Sequence, residues 1–156
     1  MKFRILFLSG LLAFVVAFPS LPPVAAQAAA QPAPEKKDKT DLEKVMDQIS
    51  KAAKALKKQI NDPAQNASSL DLVATIRSGA EKALTLTPDK ASDLPEADRP
   101  KFATSYRDAM KEFIASVDKL AAALKTNDNA AAASLFKASI DLERKDHRQY
   151  RRPEKD

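Results

Sequence analysis

The sequence predicts an all-α fold, an antiparallel up-down-up-down four-helix bundle preceded by a signal peptide and a disordered linker. Three observations carry this. After residue 39, proline falls only at 63, 88, 95, 100 and 153, and glycine only at 79. The windows between the prolines are long and rich in Ala, Leu and Lys. These are strong helix formers, whereas proline is excluded from helix interiors by ring clash and its missing N–H. Within the windows, apolar residues recur every three or four positions, the period of one buried helix face.

The elements follow in chain order. Lys2 and Arg4 precede an apolar run over residues 5–18, which Pro19, Pro22 and Pro23 break before Val24-Ala25-Ala26. A basic start, a short apolar run and small residues at the end predict a signal peptide over 1–26. The run is shorter than the ~20 residues a membrane-spanning helix needs. The expectation is therefore export to the periplasm, with no stable membrane association once the leader is removed. Residues 27–39 are Ala, Pro and charge without an apolar face, and are expected to be a disordered linker. The folded domain is expected over 40–152, with a tail at 153–156.

Helix one starts at Thr40, where Thr40-Asp41-Leu42-Glu43 has the form of a capping box. Its stripe is Leu42, Met46, Ile49, Ala53, Leu56 and Ile60, ended by Asn61-Asp62-Pro63. Helix two is expected from about Ser69 to Leu86. Its interior Gly79 costs about 1 kcal/mol relative to Ala, so it is either tolerated or marks a close backbone approach to something bulky. A Pro-punctuated acidic connection spans 87–100. Helix three begins near Pro100, with Phe102, Tyr106, Ala109 (with Met110), Phe113, Val117, Leu120 and Leu124 inward. A turn at 126–129 rich in N-cap residues leads into helix four, which runs to about Arg151 before Pro153.

Composition excludes several functions. The chain has no Cys, which removes disulfides, zinc–thiolate and iron–sulfur sites and thiol-linked haem. Its two glycines cannot build a phosphate-binding loop. Losing Lys2 and Arg4 with the leader lowers the formal charge from +5 by two, too mild a balance for nucleic acid. The basic pairs 36–37, 57–58 and 151–152 are expected to be solvated faces. A single His cannot supply a ferritin-like di-iron site, and no nucleophile–base pair is evident, so an enzyme is not expected.

Two residues stand out for their chemistry. In an antiparallel bundle, helix one begins where helix four ends. Met46 then lies roughly 9 Å into the bundle, and His147 roughly 6 Å in from the same end. A thioether and an imidazole facing each other across a bundle are the axial ligands of a Met/His haem iron. Taken singly, Met46 also suits plain core filling and His147 a solvated position at a helix C-terminus. Met110, mid-helix, is expected far from His147 along the axis.

DLEKVM at 41–46 and DHRQYR at 146–151, with TPDKASDLPE and KFATSYRDAM between them, resemble the cytochrome b562 family over about residues 40–151. The resemblance implies a non-covalent b-type haem with Met46 and His147 as axial ligands. It further implies that Leu42, Ile49, Phe102 and Tyr106 pack on the porphyrin, and that Arg151 lies near the propionates. Two positions depart from the family pattern: Glu143 stands where the family has Arg, and Asp146 where it has an aromatic residue. The implied function is one-electron transfer by a monomer that meets a redox partner transiently, with surface Lys and Arg steering an acidic partner. The other reading of the same fold is a haem-free exported bundle serving as a binding or stress module.

Overall fold

The computed structural model describes residues 38–153. The expected signal peptide at 1–26, the linker up to residue 37 and the last three residues of the tail lie outside the described residues. The described chain forms four α-helices: α1 (Asp41–Gln59), α2 (Asn66–Ala83), α3 (Arg99–Lys125) and α4 (Asn129–Tyr150). Among the described residues there is no strand, and no helix is long and apolar enough to cross a membrane.

The capping box at Thr40 is formed. The Thr40 hydroxyl accepts from the Glu43 N–H at 3.3 Å, and the Glu43 carboxylate accepts from the Thr40 N–H at 2.8 Å. Helix α2 starts a turn earlier than the sequence suggests. The Asp62 carboxylate accepts from the Ala64 N–H, and this begins a 3-10 turn over Pro63–Gln65 that runs straight into the helix. Its end also comes early, at Ala83, because the Thr85 and Leu86 N–H groups bond three residues back and tighten the last turn. The 87–100 connection is more ordered than expected, with 3-10 turns at Asp89–Asp93 and Glu96–Asp98. At the α3–α4 turn, Asn127 takes a φ of 57°, a left-handed conformation that Asn tolerates. The Asp128 side chain then caps α4 by accepting from the Ala131 N–H.

Helix α1 packs on α2, α2 on α3, and α3 on α4. Helices α1 and α4 barely touch. The bundle is dense at one end, where Leu56, Ser69, Val73, Val117, Leu120 and Leu124 are almost completely buried. That end is tied by a reciprocal amide pair. Asn66 Nδ2 donates to Asn129 Oδ1 at 3.2 Å, and Asn129 Nδ2 donates back to Asn66 Oδ1 at 2.8 Å and to the Ile60 backbone carbonyl at 2.8 Å. The opposite end is hollow.

Candidate cofactor site

Interhelical contacts fix the level of each residue in the hollow end. Gly79 of α2 lies under Ile49 of α1. The Tyr106 hydroxyl donates to the Ala83 carbonyl at 3.2 Å, joining α2 to α3. The Ser105 and Tyr150 hydroxyls are 2.6 Å apart, joining α3 to α4. Antiparallel steps from these contacts put Met46 level with Lys82, Lys82 with Arg107, and Arg107 with Arg148, the residue after His147. At 1.5 Å rise per residue, Met46 and His147 agree in depth to roughly 2 Å.

Both residues line one cavity of about 610 Å³, walled by residues of α1, α3 and α4. Its apolar wall comes from Leu42, Ile49, Tyr106, Met110, Phe113 and Tyr150. Of the sequence-derived candidates, Leu42, Met46, Ile49, Tyr106, His147 and Arg151 all lie on this cavity. Phe102 does not. Its ring meets Tyr150 edge-on, with centroids 5.4 Å apart, so it backs a wall residue instead of forming the wall.

Met110 is placed differently from the expectation. It is buried and faces the same cavity as His147. The reason is an overhang: Tyr150 packs beside Phe102, Ser105 and Tyr106, several residues inside the start of α3. This slides the middle of α3 down until Asp108 is level with His147, and Met110 is then only about 3 Å further along the axis. Tyr150, Met110 and Phe113 were all visible as inward positions of their stripes, but periodicity does not say whether an inward residue meets core or cavity.

The polar side of the cavity holds His147, whose side chain is 44% exposed, and Glu143, whose Oε1 stands 3.8 Å from His147 Nε2. Burial pushes the Asp146 carboxyl above the ordinary Asp value. Asp47 is held below it by a charge-assisted hydrogen bond from Lys39. Among the described residues, six carboxylates (Asp38, Glu43, Asp47, Asp89, Glu143, Asp146) and three cations (Lys39, Arg151, Arg152) line the cavity. Arg152 is not a solvated cation: it forks onto Asp93, with Nε and Nη2 each 2.7 Å from a carboxylate oxygen.

A family model described as Cytochrome b562 matches residues 41–151, a stretch that contains all four helices. No curated protein and no solved structure gives a significant match.

Proposed function

The chain belongs to the cytochrome b562 family of haem-binding electron-transfer helical bundles, and on that footing we propose that it carries one non-covalent b-type haem between Met46 and His147 as a periplasmic electron carrier. The observation that carries this reading is the shared cavity: one thioether and one imidazole, on α1 and α4 and at matching depth, line the same space. The residues present fit the group. A volume of about 610 Å³ lies within the ~300–1,000 Å³ range of small-molecule and cofactor sites. The donor set is that of Met/His-ligated haem, and the wall around it is apolar.

The chemistry supplied by bound haem is a one-electron iron couple. Met46 and His147 would together hold the iron, and no position on it would then be left open to O₂ or substrate. Leu42, Ile49, Met110 and Phe113 exclude water. Tyr106 keeps its hydroxyl bonded to the Ala83 carbonyl, so its oxygen does not compete for the iron. Arg151 stands at the rim, where its guanidinium suits a carboxylate. Export is supported by the signal-like residues 1–26, and the redox partner is proposed to dock transiently at the open side of the cavity.

The test is spectroscopic. The purified exported protein should be red, with a sharp Soret band and a low-spin reduced spectrum. Met46→Ala and His147→Ala should each change the spin state and weaken haem retention, while Met110→Ala should keep the low-spin spectrum. A colourless parent that takes up no added hemin returns the protein to the haem-free bundle. A parental spectrum in both ligand variants overturns the ligand assignment.

A further inference from the structure

Resting on the haem reading, we propose that Arg152 is a positioning residue that holds the end wall of the cavity shut and sets how slowly haem leaves. Arg152 lies one residue beyond the stretch that matches the family. It follows the α4 C-cap, Arg151, which is already extended. It also precedes Pro153, which disfavours the helical conformation at Arg152 itself. The chain is thus turned away from the helix axis, and the side chain reaches across to the α2–α3 connection.

There it makes four contacts with a single short turn. Besides the fork onto Asp93, Nη2 donates to the Ser92 hydroxyl at 2.9 Å and to the Asp89 carbonyl at 3.1 Å. Lys90 adds a second tie, donating to the Gln149 carbonyl at 2.7 Å near the end of α4. Arg99 stiffens the connection from inside by donating to the Leu94 and Ser92 carbonyls. The connection is therefore one piece, and Arg152, with four hydrogen bonds against the one from Lys90, is its main fastening to the end of α4.

The position of this clamp gives it a function. Arg152, Asp89, Pro88 and Thr40 line the 610 Å³ cavity and also a neighbouring one of about 410 Å³. They are the partition between the two. Releasing Arg152 from Asp93 frees that partition, joins the two spaces and opens the end of the cleft between α1 and α4. Met46 and His147 are untouched by this change, so ligation is preserved while the exit widens. The fork is partly exposed, so salt should screen it.

The experiment uses the mature protein loaded with hemin, and measures transfer to excess apomyoglobin for the parent, Arg152→Ala, Asp93→Asn and the double variant. Each single variant should release hemin about three- to tenfold faster. The double should be no faster than Arg152→Ala, because that variant already removes the fork that Asp93→Asn weakens. Arg152→Lys, which keeps the charge but cannot fork, should fall between. The absorption spectrum should stay parental throughout. Added salt should accelerate the parent towards the Arg152→Ala rate and leave that variant unchanged. In the haem-free protein, hydrogen exchange at the Ala91 and Leu94 amides should quicken in Arg152→Ala, while the Ile60 amide at the dense end is unaffected. A parent that loads hemin, with single variants that release it at the parental rate or add their effects in the double, overturns the clamp and leaves the haem reading standing. A parent that takes up no hemin removes the haem reading, and the clamp with it.

Discussion

Gly79→Ala separates two opposing effects whose sizes can be worked from the structure. In a helix interior, Ala is better than Gly by about 1 kcal/mol. At Gly79, however, a Cβ would stand 2.7 Å from Ile49 Cγ1, 3.1 Å from Ile49 Cδ1 and 3.8 Å from Val45 Cγ1. Cγ1 is bonded directly to Cβ of a β-branched residue, so it cannot swing away as a flexible chain end would. Either χ1 leaves its rotamer or α1 and α2 separate, and overpacking of this kind costs about 1–3 kcal/mol. The net expectation is destabilisation by about 1 kcal/mol, or a fall of roughly 4 °C in melting temperature. In an Ile49→Ala background the obstructing atoms are gone and only the helix propensity remains. There Gly79→Ala should stabilise by about 1 kcal/mol. The assay is urea unfolding of all four proteins, followed by far-UV circular dichroism. Sucrose is added to offset the roughly 2–4 kcal/mol that Ile49→Ala itself costs. The reasoning is refuted if Gly79→Ala stabilises the parent, or if its effect has the same sign in both backgrounds.

Two further outcomes follow from the structure. Asn66→Ala removes one half of the buried amide pair and takes the donor from the side-chain oxygens of Asn127 and Asn129; it should cost about 1–3 kcal/mol by urea unfolding. Burial pushes the Tyr106 hydroxyl up to about 12. Folded Tyr106 therefore keeps its proton above pH 10 while the unfolded chain gives it up, so the associated stability is intact below pH 10 and lost between about pH 10 and 12. Tyr106→Phe should show a flatter loss over that window in unfolding measured against pH, and absorbance titration of the folded parent should show one tyrosine ionising only near pH 12.

Much of the fold was legible because the signals that carry it act within a turn or two of chain. The Thr40–Glu43 box, the proline spacing and the inward stripes of α1 and α3 all appear where the sequence puts them. The misplacements share one cause, which is interaction with chain far away in sequence. Helix α2 gains its first turn from a 3-10 entry, and its Asn66 is held by residues 61 and 63 positions later. Gly79, open to two readings from sequence, sits under Ile49 because α1 approaches α2 closely there. Arg152, grouped by composition with other basic pairs, finds its partner 59 residues back.

The candidate site divides the same way. Residue type and spacing alone put a thioether and an imidazole near one end of the chain's helices, on apolar rows or beside them, since helix periodicity is a local property of the backbone. Whether those groups meet a common space depends on how far each helix slides past the next. That offset is set by a few contacts: Ile49 on Gly79, Tyr106 on Ala83, Tyr150 beside Ser105. Small slides accumulate over three interfaces, and no local pattern encodes their sum. Only packing could bring Met110 to the cavity, set Phe102 behind Tyr150 and leave α1 and α4 apart.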